Sequence, residues 1–205
     1  MENNTIYQEW LELTQLTETT HTKNCFKEVE KQYTQITRHY HSLDHIQQLF
    51  VHIKNVVLSD IEKSILAHVA LFHDVIYESH SKENEIKSAQ IAVTWLDKLA
   101  IPNPVQLQIK EIIIGTATHT SHDPLAQLFF DMDISILGAP KEAYINYYHA
   151  IKKEYNTVPD LIYKIGRKQF LKQLLDQDTL FYTKKYQEIY ELQARMNIQE
   201  ELNTL

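Results

Sequence analysis

Glycine and proline are scarce in this chain, with three and five residues among 205. An all-β domain of this length needs many tight turns, and those turns draw on glycine. The shortage argues for long helices with few interruptions. A single cysteine, Cys25, rules out an internal disulfide and a thiolate metal cluster. No apolar run approaches the ~20 residues that a membrane-spanning helix needs. The opening stretch MENNTIYQEW has no basic segment leading into an apolar one, unlike a secretory signal. The expectation is a cytoplasmic protein with no membrane partner. Arginine is also rare, confined to Arg38, Arg167 and Arg195, and no block of clustered lysine and arginine occurs. With a formal net charge of -7, long nucleic acid is not an expected partner. A small anion remains possible, because it needs only a local positive site.

What is present is a globular composition. Hydrophobic residues make up 43% and charged residues 23%, enough to bury a core without disulfides. No repeat or linker divides the sequence, so 1–205 reads as one all-α domain. Apolar residues recur at helical spacing. They mark helices over 6–16, around Phe26, Val29 and Tyr33, and over 44–57. Ser59-Asp60-Ile61-Glu62 has the form of a capping box opening the next helix, which runs through Phe72. Further helices are expected over 83–99, from Asn103-Pro104 to about Thr118, from Asp123-Pro124 through Phe130, and over 141–155, 160–175 and 184–202. The Ile112-Ile113-Ile114 run is β-branched, but its flanks keep helical spacing, so it reads as buried helix.

Eleven histidines are many for this length. Three segments set histidine or aspartate among strongly apolar neighbours: RHYHSLDHI (38–46), LFHDVIYES (71–79) and FFDMDISILG (129–138). Buried ionisable groups are costly unless paired or bound to metal. Imidazole with carboxylate suits Mn, Mg, Fe, Co, Ni or Zn, with no soft sulfur to narrow the choice.

These segments resemble the HD superfamily of metal-dependent phosphohydrolases, whose signature is a histidine, a His-Asp pair and a distant aspartate. His41 in HSLDHI matches the first histidine, His73-Asp74 the pair, and Asp133 in MDISIL the last aspartate. NEIKSA, TATH, the EY and GR pairs and ARMNIQEEL extend the likeness over nearly the whole chain from Tyr33 onward. The resemblance implies an HD-domain-like helical bundle. It implies a divalent metal ion held by His41, His73, Asp74 and Asp133. It also implies hydrolysis of a small phosphorylated substrate, with nucleotides among the candidates. Two imidazoles and two carboxylates can hold such an ion and leave positions for water and a substrate oxygen. Asp74 is then also a catalytic group, orienting the attacking water. Asp131, two positions before Asp133, points elsewhere on a helix and reads as a cap or a supporting partner.

Other residues carry two readings each. His119 is a second metal ligand or substrate contact, or a helix-end histidine meeting the dipole. His45 is a ligand, a substrate contact or a pocket wall. Glu85 is the candidate acid–base carboxylate, or a solvated charge in a first helical turn. Arg38, Lys82, Lys87 and Arg167 are the candidates to meet phosphate, although Arg167 and Arg195 could equally form structural ion pairs. His68 sits at core spacing and reads as a satisfied buried histidine. A nucleotide- or metal-binding sensor without turnover and a di-iron oxygenase are the alternative functions.

Overall fold

The computed structural model describes residues 5–79 and 81–205. Among them there is no strand. The helices are α1 (Thr5–Thr14), α2 (Thr20–Tyr33), α3 (Leu43–Lys54), α4 (Asp60–Phe72), α5 (Asn84–Lys98), α6 (Asn103–Gly115) and α7 (Pro124–Asp133). A 3-10 turn (Ile134–Gly138), α8 (Lys141–Glu154) and α9 (Asp160–Leu175) follow. Lys184–Tyr186 then opens a helix that passes through a π-helical turn, Gln187–Glu191, into Leu192–Thr204. This continuous helix is α10. No helix among the described residues is long and apolar enough to cross a membrane.

Several boundaries follow directly from side-chain chemistry. The Ser59 hydroxyl accepts from the Glu62 amide while Glu62 reaches back to the Ser59 amide, as the capping box requires. Hydrogen bonding from Ser59 holds the Glu62 carboxyl below its ordinary pKa. Asp123 caps the start of α7 by accepting from the Leu125 amide at 2.9 Å. At α6 the sequence expectation shifts by one residue. Pro102 is the N-cap, Asn103 is already helical and makes no cap bond, and the helix ends at Gly115 rather than Thr118. Thr19 caps α2 through a box with Thr22, a threonine pairing in place of Ser with Glu.

The chain divides into two compact units, one ending at Phe129 and one spanning Phe130–Leu205. In the first, α4 is the central helix. Every residue from Ile65 to Phe72 is buried, and α1, α3, α5 and α6 pack around it. A helix that is apolar on all sides can be stable only in such a central position. Trp10, Tyr7, Phe26, Phe50 and Phe72 are fully buried, each contributing roughly 1.5–3 kcal/mol from apolar surface withdrawn from water. Tyr7 packs on Phe26 with ring centroids 5.2 Å apart, and its hydroxyl meets Thr22 Oγ1 at 3.0 Å, joining α1 to α2. His68 is buried in the same core, where Trp10 Nε1 donates to its Nδ1 at 3.3 Å. Burial pushes the His68 pKa down to about 3. Cys25 is buried in α2, and burial raises its thiol pKa.

In the second unit α10 packs on α9 and on the 3-10 turn. Gly138 in that turn lies against Tyr190, and a Cβ there would come within 2.6 Å of the Tyr190 Cβ and carbonyl oxygen. Only glycine permits this approach without displacing backbone.

Candidate metal centre

The central helix delivers the His-Asp pair. His73 is the C-cap residue of α4, and Asp74 begins the turn that follows. His73 is buried and Asp74 half-buried. The preceding apolar turns anchor the pair, so the two side chains project from a fixed point. Ser42 caps α3 by accepting from the Asp44 amide, and His45 lies in the first turn of that helix, also buried. Since α3 packs on α4, the start of one helix meets the end of the other.

His45 Nε2 lies 3.3 Å from His73 Nε2, and Asp74 Oδ2 lies 3.1 Å from His73 Nε2. Ligand atoms of His45, His73 and Asp74 all fall within 4.8 Å of one another. The other nitrogen of His73, Nδ1, is 3.1 Å from the Ala70 carbonyl oxygen. A carbonyl can only accept, so this contact places a proton on Nδ1, and in the neutral imidazole Nε2 is then the nitrogen able to bind a metal. His73 Nε2 faces both an imidazole nitrogen and a carboxylate oxygen. One divalent cation satisfies all three donors at once, and the donor set of two imidazoles and one carboxylate fits such an ion. The Ala70 carbonyl is the kind of supporting acceptor that fixes ligand tautomer and ring orientation.

His41 sits at the edge of this group. It precedes the N-cap of α3, so it lies outside the helix, and its Nε2 is 3.9 Å from Asp74 Oδ2. Its ring stacks on Tyr77 at 4.1 Å between centroids. The structure groups His45, carried in the first turn of α3, with the pair, and leaves His41 just before the helix.

Arg38 is buried and turned inward. Its Nη1 donates to the carbonyls of His41 (3.1 Å) and Asp74 (2.7 Å), and its Nη2 to that of Val75 (3.1 Å). The segment after the pair is latched to α5. Ser88 Oγ accepts from the Ile76 amide, while Asn84 exchanges two hydrogen bonds with the backbone of Glu78. Glu85 is half-buried in the first turn of α5. Lys82 is exposed, and Lys87 pairs with Glu83 at 3.1 Å. His119 follows α6 in a left-handed conformation, φ 50°, and is half-buried.

The remaining sites of interest belong to the second unit. Asp133 is the last residue of α7 and is half-buried. Asp131 acts as a cap: its two carboxylate oxygens accept from the amides of Tyr182 and Thr183, each at 2.7 Å. Burial raises the Asp131 pKa, and those bonds pull it back in part. Arg167 is committed to Glu201 through Nε at 2.8 Å and Nη2 at 3.1 Å, the ion-pair reading of that residue. Arg195 likewise pairs with Glu191 at 2.7 Å. No protein-family model matches this chain, and no curated protein or solved structure is significantly similar to it.

Proposed function

We propose that this chain is a metal-dependent phosphohydrolase of the HD type, holding a divalent cation on His45, His73 and Asp74. Its substrate is a phosphoester of a small molecule, with nucleotides among the first to screen. The observation that carries the reading is the convergence of three ligand atoms at the end of a buried helix. The ordered resemblance in sequence supports it independently. When bound, such a cation polarises a phosphoryl oxygen and acidifies water near neutral pH. His45 and His73 supply imidazole nitrogens, and the Ala70 carbonyl holds the His73 ring in place. Asp74, half-buried, binds and also orients the attacking water. His41, whose Nε2 lies 3.9 Å from Asp74 Oδ2, lines the edge of the site beside the Asp74 carboxylate. Glu85 and Lys82 remain candidates on the adjoining segment. The resemblance adds Asp133 as a further donor, and metal affinity of Asp133→Ala decides whether it belongs to the set.

Protein purified without chelating resin should carry a divalent metal, and chelation should abolish phosphatase activity. His73→Ala and Asp74→Ala should each lower turnover by ~100-fold or more, the scale on which removing a catalytic group acts. Full activity in both variants overturns the assignment.

A further inference from the structure

We infer that Arg38 is a positioning residue of this metal centre, tying the loop that carries His41 to the turn that carries Asp74. The inference rests on the proposed metal-binding function. One buried guanidinium bonds three carbonyls from two segments far apart in sequence: His41 on one side, Asp74 and Val75 on the other, the latter two 36 and 37 residues beyond Arg38 itself. Two of those carbonyls belong to residues whose side chains face the centre. Fixing a residue's carbonyl fixes its peptide plane, and so limits the backbone rotations that aim its side chain. The guanidinium also packs against aromatic rings, with its central carbon 5.0 Å from the Tyr33 ring centroid and 5.3 Å from that of Tyr77. Tyr33 in turn accepts from the Asp74 amide through its hydroxyl at 3.2 Å. Tyr77 stacks on His41. Arg38 thus stands at the junction of two aromatic side chains that themselves touch the site residues.

These commitments suit a planar, delocalised cation and not an ammonium. Lysine has neither the fork that reaches carbonyls on two segments nor a flat face for the rings. They also place the Arg38 guanidinium on backbone rather than on a substrate phosphate, the role its residue type suggests from sequence.

The test measures Mn(II) affinity by titration, alongside far-UV helicity, in wild type, Arg38→Ala, Arg38→Lys and Tyr77→Leu. Arg38→Ala should weaken Mn(II) binding about 10- to 100-fold, the range for groups that orient metal ligands from behind. Arg38→Lys should fail to restore it, and Tyr77→Leu should fall between. Free guanidinium ion at low millimolar concentration should recover part of the Arg38→Ala loss, while equal urea or sodium chloride should not. A purely structural role would lower far-UV helicity together with affinity, whereas a positioning role lowers affinity at unchanged helicity. If Arg38→Ala fails to fold, Arg38→Lys and Tyr77→Leu carry the test. Wild-type Mn(II) affinity in the folded variants, or a loss that guanidinium leaves untouched, overturns the role of Arg38 alone. Absence of Mn(II) binding by wild type overturns the metal centre itself, and Arg38's role with it.

Discussion

Both units gather ionisable side chains, and the two groups differ in kind. In residues 130–205, Arg167 faces Glu201 with two hydrogen bonds, and Tyr144 donates its hydroxyl to the same carboxylate. Burial and the neighbouring Glu201 push the Tyr144 pKa up, so the phenol stays protonated as a donor. Opposite charges meet, and the network is complete in itself. In the first unit, two imidazole nitrogens and a carboxylate converge instead. The proposed function places a divalent cation among them. On that reading, similar residue types form a self-contained ion pair in one place and a metal site in the other. The distinguishing feature is whether the group carries its own counter-charge or takes it from a bound cation.

The sharpest way to break this comparison is to unbalance the ion pair. Glu201→Ala leaves Arg167 buried without its counter-charge and should cost ~3–5 kcal/mol of unfolding free energy in urea titrations. A double variant, Arg167→Met with Glu201→Leu, should regain most of that loss. A cost within experimental error for Glu201→Ala would mean that the pair contributes little and that the contrast between units is empty.

The proposed metal site should behave in the reverse sense. Divalent cation at a hundred times its dissociation constant should stabilise the chain by about 2.7 kcal/mol, read as a rise in Tm that chelator reverses. His73→Ala should lose that rise, apart from any cost of truncating a buried ring. A chelator-reversible rise in His73→Ala equal to that of wild type would remove His73 from the ligand set.

An effect smaller per pH unit concerns His68, a buried imidazole outside both sets. Folded His68 gains a proton only near pH 3, against 6.5 in the ordinary case. Between those values the unfolded chain binds more protons, so stability complete above pH 6.5 drains away as the pH falls toward 3. The contribution reaches about 1.4 kcal/mol per pH unit. Unfolding free energies at several pH values should show that slope reduced by this amount in His68→Gln. An unchanged slope would remove His68 from the account.

Much of the helical architecture is legible in the sequence because it is local. Asp160–Leu175 has the expected bounds, and the Ser59–Glu62 box marks its helix start through residues three apart. The Thr19–Thr22 box escapes a search for Ser or Thr followed by Glu, since a threonine hydroxyl plays both parts. The π-helical turn at Gln187–Glu191 breaks no periodicity strong enough to reveal it. At the site, His73-Asp74 is visible as an ionisable pair ending an apolar helix. His45 could not be assigned in advance, because its role depends on how α3 lies against α4. The commitment of Arg38 to carbonyls is equally hidden, since backbone acceptors leave no trace in residue identity.

Cys25 offers a consequence of a different kind. The one thiol in the chain is fully enclosed in α2, and burial suppresses its ionisation. An alkylating reagent attacks thiolate, so it must wait for the surrounding helices to part. The rate at which Cys25 is modified is therefore an intrinsic clock for local opening. Because it needs no introduced label, it can time how ligands or substitutions alter the breathing of the unmodified protein.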